Sequence, residues 1–445
     1  MTRFLLTVLT VIFSINSSVA AEFESPTINV SASGFLAANL LKGKYHTTDE
    51  NVTIDGYIDN YTVDSEFGQF AVAGDLALKK LIRELDAIAE LKSRTTTGTS
   101  TAAVVGAVSD TGKSLVQIAT DPTGTAKGVS GGVSRFFKRT SRSAKNLANK
   151  TSDSSSENDE ISGDDATSEE TEKESNAETD DPEVSQQIAE SFLGVGKAQR
   201  ELAMELEVDP YTRNEVLQEE LHRVASISGT VGKVTKLLMP MPTFLSAAKN
   251  VSNLVWNLSP MDLLIHNEEK LKALGYTKKE VNAFFSNKVY TPTQQTVLVA
   301  TLEALDKVEG RELFLGVATS TESPTEAGSI IQSALFTQLY HENIMALTKL
   351  LRVPEGMLPL AVTENDTAIL FAPLDYIMWT EEAVEAIARF DILIGDIEVV
   401  KEKQLWVQGR VSTIAASRLK EAGWVVSTGG FKKLETVIDN QETSG

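Results

Sequence analysis

Apolar positions recur along this chain with two different periods, separated by a long stretch that has neither. Residues Thr27 to Ala32 alternate, and Val52-Thr53-Ile54-Asp55-Gly56-Tyr57-Ile58 sets Asp-Gly between two short β-prone runs, which predicts a hairpin. From Asp75, an N-cap residue type, Leu78, Leu81, Ile82, Leu85 and Ile88 share one helix face. Helical spacing returns at Ser185, where Ile188, Phe192, Leu193, Val195, Leu202 and Leu206 predict a helix reaching Asp209-Pro210. The proline and its predecessor favour a break there. A further helix is expected over Asn214 to Ser226, with Val216, Leu217, Leu221 and Val224 inward. Both should pack on the 75–92 helix, with residues 95–184 looped out between them.

Short helices fill 260–305, punctuated by Gly275 and Pro292. Beyond them the pattern becomes mixed. Leu313 to Val317 is a short buried-type run, and Thr325 to Leu351 reads as helix, with Ile330, Ile331, Leu335 and Leu339 on one face. Met357–Val362 and Ala368–Ala372 read as strands joined by the polar turn Thr363-Glu364-Asn365-Asp366. A helix at Glu381–Arg389 leads into the apolar run Ile392–Val400, with Asp391 and Asp396 read as marking strand ends. Leu405-Trp406-Val407, a helix over Val411–Glu421 and Trp424-Val425-Val426 complete the series. The expected class is mixed α/β: a helix-rich N-terminal half with a long disordered acidic insertion, then a C-terminal α/β domain with short strands. The boundaries expected are a signal peptide at 1–20, a small β-hairpin plus helix region at 21–94 and a Gly-rich amphipathic and basic segment at 95–150. A disordered acidic linker at 151–184, a helical region at 185–305 and the α/β domain at 306–445 follow. All four tryptophans lie beyond residue 250, which places the best-packed core there.

Charge sharpens this picture by being uneven. The chain carries a formal net charge of −21, but residues 151–184 hold fourteen acids and one lysine (Lys173), so −13 of it lies in that segment. With almost no apolar residue larger than alanine, the segment cannot bury enough surface to offset the entropy of ordering. Its neighbour has the opposite sign: between Pro122 and Ser152 there are seven Lys and Arg and no acid. An overall acidic balance argues against nucleic acid as a partner.

The first residues add a location. Arg3, the apolar run Phe4–Ile15 and the small residues of Ser18-Val19-Ala20 have the make-up of a cleavable export signal, with cleavage expected before Ala21. The chain has no cysteine, which fits a bacterial periplasmic or secreted protein better than a large eukaryotic one.

Candidate chemistry is thin. Ala107-Val-Ser-Asp-Thr-Gly112-Lys113-Ser114 fits only a loosened phosphate-loop pattern, with alanine at the first glycine. Gly128-Val129-Ser130-Gly131-Gly132 fits G-x-S-x-G, yet Asp121-Pro122 and the residues after it are no central strand on which a nucleophile elbow is built. The histidines (His46, His222, His266, His341) are scattered, and Glu219, Glu220 and His222 read as an exposed helix face. No catalytic residue, cofactor or metal site is assigned on these grounds. The stronger pattern lies in 98–146. On a helix Val129, Val133, Phe136 and Phe137 share one face, flanked by Arg135, Lys138, Arg139 and Arg142. Such a face suits an anionic membrane surface, or close packing on another helix of the same domain. The sequence therefore reads as an exported, non-enzymatic, envelope-associated binding or structural protein, with an anionic membrane surface or another envelope protein as partner. The alternatives are a secreted hydrolase using Ser130, or a secreted factor acting on another cell.

Overall fold

The computed structural model describes residues 23–98, 115–117, 194–227, 249–353 and 358–444, and the fold is mixed helix and sheet. Strands β1 (Thr27–Ser31), β2 (Thr47–Thr48), β3 (Asn51–Asp55), β4 (Ile58–Ser65), β5 (Gly68–Ala73) and β6 (Leu115–Gln117) form the first sheet. β3, β4 and β5 make an antiparallel meander, β1 pairs antiparallel with β3, and β6 runs parallel to β5. The sheet is larger than the expected hairpin because alternation continues through Tyr61, Val63, Phe70 and Val72, all buried. The hairpin turn sits one residue further on than Asp-Gly. Asp55 pairs with Ile58, so Gly56 and Tyr57 form the turn, both at positive φ (55° and 73°). That conformation is easy for glycine and unfavourable for tyrosine. Tyr57 is held there from outside: its carbonyl accepts the N–H groups of Asp375 and Tyr376 (3.1 and 3.2 Å), and its hydroxyl meets Thr380.

Helix α1 (Ala38–Leu41) is a single turn beside the sheet, and α2 (Asp75–Gly98) is the central element of this half. Leu78, Leu81, Ile82, Leu85 and Ile88 are buried as expected, and Arg83, Glu84, Asp86 and Leu91 are buried as well. The rest of its surface is covered by α4 (Glu215–Ile227), which packs along α2, and by α3 (Lys197–Glu205), which packs on α4 and reaches α2 through the Arg94–Glu205 pair at 3.3 Å. Arg83 donates to the carbonyls of Leu206 and Glu207 and to the Glu207 carboxylate (2.6 Å); Lys92 pairs with Glu220 at 2.9 Å. Glu220 is therefore buried and paired, not part of an exposed face with Glu219 and His222.

Helices α5 (Lys249–Asn257), α6 (Pro260–Ala273), α7 (Lys278–Phe285), α8 (Pro292–Ala304), α9 (Glu312–Thr319) and α10 (Pro324–Asn343) follow. Three starts are written locally: Ser259/Asp262, Thr277/Glu280 and Thr291/Gln294 are reciprocal caps. The 313–317 run lies inside α9. α10 stops at Asn343, after which the His341 Nδ1 accepts the Leu347 N–H at 2.9 Å and the chain turns into a strand over Leu347–Leu351.

The second sheet has the order β13-β11-β9-β8-β7, from β7 (Leu347–Leu351), β8 (Leu360–Thr363), β9 (Thr367–Ala372), β11 (Glu402–Val407) and β13 (Trp424–Ser427). β9, β11 and β13 are parallel, while β8 and β7 extend it antiparallel. α11 (Glu381–Gly395) takes in Ile392–Ile394, so the first part of that apolar run is helix and the rest is not strand. Asp391, on the same helix, accepts from Lys403 Nζ at 2.7 Å. α12 (Thr413–Glu421) joins β11 to β13, and α13 (Gly430–Ser444) packs on α10, with Phe336 stacked on Phe431 at 4.7 Å between ring centroids. A two-stranded parallel pair, β10 (Tyr376–Ile377) and β12 (Arg410–Val411), bridges toward the first sheet. The best-packed core is not confined to the tryptophan-bearing half. A second cluster of buried side chains fills the space between the first sheet, α2, α3 and α4, with Trp256 at its rim.

Candidate functional site

The two halves meet at a group of charged side chains taken out of water. Asp59 on β4 and Asp375 before β10 are 0% and 1% exposed. The Asp375 carboxylate accepts the backbone N–H groups of Asp59 and Asp75 (3.2 Å each) and the Gln408 side-chain amide (3.2 Å). Arg410 on β12 pairs with Asp59, and its guanidinium lies 3.7 Å from the Phe35 ring centroid. Tyr61 donates to Asp75 and reaches Asp59 at 3.1 Å. Burial lifts the Asp59 carboxyl to about 6 against the pull of Arg410. Burial, and then the charges of Asp75 and Asp59, hold Asp375 well above the ordinary carboxyl range. Gly409 is required at this point, because a Cβ there would run into the Asp375 carbonyl.

Beside this group opens a cavity of 230 Å³. The first sheet contributes Ile58, Val72 and Ala73, and α2 contributes Leu76, Lys80, Leu81 and Glu84. The loop after α3 contributes Asp209, Thr212 and Arg213; the start of α8 adds Thr293 and Gln294; one face of α10 adds Thr325, Gly328, Ser329 and Gln332. Asp375 and Gln408 complete one end. Its ionised groups are fixed in advance. Lys80 lies 3.3 Å from Asp209 and 3.8 Å from Glu84. Glu84 accepts from the Thr212 hydroxyl (2.6 Å) and the Asn214 amide (2.9 Å), and Asp209 accepts from the Thr293 hydroxyl (2.6 Å) and the Tyr211 N–H (2.9 Å). Burial pushes the Glu84 carboxyl up; it also works against the Lys80 charge, but Asp209 and Glu84 outweigh it and raise the Lys80 pKa. Arg213 is different. Its Nη2 donates to the carbonyls of Lys288 (3.2 Å) and Val289 (2.8 Å), no carboxylate pairs with it among the described residues, and burial lowers its pKa.

The residues singled out in the sequence lie elsewhere. Val129, Val133, Arg135, Phe136, Phe137, Lys138, Arg139 and Arg142 fall outside the described residues, as do Ser130, the 107–114 pattern, the 1–20 leader and the acidic run. Directly after Ser114 the chain is strand β6, where a phosphate loop would open a helix. No group of three potential metal ligands occurs among the described residues. His46 is buried and burial lowers its pKa; His341 serves the turn into β7. Of the cavity residues, Glu84 carries a signal in the sequence: it stands with Arg83 and Asp86 inside a long apolar helix, and charged groups on a helix covered on both sides need partners.

The chain matches no protein-family model, no curated protein and no solved structure.

Proposed function

We propose that the chain is an exported, envelope-associated binding protein that holds a small ligand in this cavity. In this reading residues 98–146 touch an anionic membrane surface or another envelope protein. The observation that carries the binding role is the cavity, whose walls come from the first sheet, three helices and the loops that follow β9 and β11, and whose lysine and carboxylates are fixed before any ligand arrives. Preformed, mostly apolar walls with a few placed polar groups are the usual make-up of a small-molecule site. At 230 Å³ the room exceeds the roughly 150 Å³ that admits benzene and falls below the roughly 300 Å³ where drug-sized pockets begin. A ligand of metabolite size fits. The membrane contact is supported by the sequence alone, through the basic and aromatic residues at 129–142.

Titration of the mature protein with hexan-1-ol and hexanoate tests the binding role. A Cβ at Gly328 meets nothing within 4 Å, so Gly328→Leu fills the cavity from its α10 wall without a backbone clash. At least one probe should bind wild type and neither should bind G328L; binding of neither to wild type would sink the reading. For the membrane contact, protein should sediment with anionic vesicles at low salt, and replacing Arg135, Lys138, Arg139 and Arg142 by glutamine should abolish it. Intact-mass measurement of the cell-derived protein checks export, with a mature start near Ala21 expected.

A further inference from the structure

Resting on the cavity as a binding site, the charge arrangement within it points to a class of ligand. We propose that the cavity takes a small carboxylate, its charged end met by Arg213 and its apolar remainder lying against Leu76, Leu81, Val297 and Ile331.

Most of the polar groups lining the cavity are already committed to one another. Lys80 is shared between Asp209 and Glu84, and both of those acids have further donors from Thr212, Asn214, Thr293 and Tyr211. The two acids therefore have little left to offer a cationic ligand. Arg213 is the opposite case. Both of its hydrogen bonds in the described residues leave from Nη2 and end on neutral carbonyls, so Nε and Nη1 remain for an acceptor. A half-buried guanidinium without a counter-charge has its field unscreened, and a carboxylate is the ligand group that answers it. The four apolar side chains named are each less than a tenth exposed, from three different elements, and offer nothing but van der Waals contact. The lining contains no aromatic ring, so a ligand held by stacking has no platform here. The cation and the apolar walls together select an amphiphile with one acid group.

The experiment compares hexanoate, hexan-1-ol and hexylamine by calorimetry on the full mature chain at low salt, with wild type, Arg213→Gln, Arg213→Lys and Gly328→Leu. Hexanoate should bind wild type at least tenfold more tightly than hexan-1-ol, and hexylamine should bind more weakly than either. R213Q should bring hexanoate and hexan-1-ol to the same affinity, and its continued binding of hexan-1-ol shows that the cavity is still formed. R213K should keep part of the preference. Equal affinities of hexanoate and hexan-1-ol for wild type, or a preference that survives R213Q, would overturn the carboxylate assignment and leave the cavity as a binding site. Absence of binding by all three probes would overturn both.

Discussion

The strand core of the second sheet and the junction around Asp375 both take their central side chains out of water and are built from opposite materials. β8 and β9 bury Leu360, Ala361, Val362, Ala368, Ile369, Leu370 and Phe371 on both faces, as strands do when covered on two sides. The junction instead buries Asp59 and Asp375 beside Asp75, with Arg410 as the paired cation. In the first region any apolar side chain of suitable volume contributes, because burial is non-directional. In the second each group depends on a named partner, because an unpaired buried charge is costly. One region tolerates substitution by degrees; the other fails when one partner is lost.

The largest effects test that contrast. Phe371 contacts Phe336 at 5.2 Å and Tyr340 at 5.1 Å between ring centroids. Phe371→Ala should cost about 4 kcal/mol in denaturant unfolding, whereas Phe371→Leu should cost about half of that. Arg410→Met should cost about 3 kcal/mol, because Asp59, buried without its cation, must take up a proton or stay charged and unpaired. Adding Asp59→Asn to R410M should return most of the loss. Failure of that rescue would show that Arg410 matters through its packing on Phe35 and Tyr376, and not through charge.

How far the sequence revealed these two regions follows from the same contrast. Apolar periodicity marks β8, β9, α2 and α4, since water exclusion leaves its period in the residues themselves. The halves of the junction lie some three hundred positions apart: Asp59 and Asp75 on one side, Asp375 and Arg410 on the other. Nothing local records that they meet, and a lone aspartate between apolar residues reads like any turn or cap. Ile392–Val400 failed for another reason. It is apolar without a clean period, and it proved to be the end of α11 and the segment after it. The cavity-lining Lys80 and Glu84 fall at helix spacing, but α2 read as amphipathic until α3 and α4 covered its second face.

Acidity sharpens the comparison, since only the junction titrates. The folded-state pKa of Asp59, about 6, lies above the ordinary carboxyl value, and that of Asp375 is raised as well. Their contribution to stability is full below the unfolded-state value and is lost as pH rises through the folded one. Wild type should therefore lose on the order of 2 kcal/mol between pH 5 and pH 7.5 from these groups. Asp59→Asn should flatten the slope. His46 acts in the other direction, because its lowered pKa removes stability as pH falls below the ordinary histidine value. His46→Gln should accordingly leave a steeper gain on acidification than wild type shows. A pH profile that is unchanged in D59N would mean that the buried carboxyls do not titrate in this range.

The smallest effect separates two glycines associated with the same helix. α10 turns Phe336 and Tyr340 toward the second sheet and Gly328 and Ser329 toward the cavity. A Cβ at Gly430, at the start of α13, would run into the Phe336 ring, while one at Gly328 meets nothing. Gly328→Ala should then stabilise by up to about 1 kcal/mol, because alanine loses less backbone freedom in a helix interior and gains no clash. Gly430→Ala should destabilise, since Phe336 packs against Phe371, Trp406 and Phe431 and would have to shift against them. The two melting shifts should have opposite signs. If G328A also lowers the melting temperature, the space beside Gly328 is not open, and the cavity wall on that side must be drawn tighter than the structure has it.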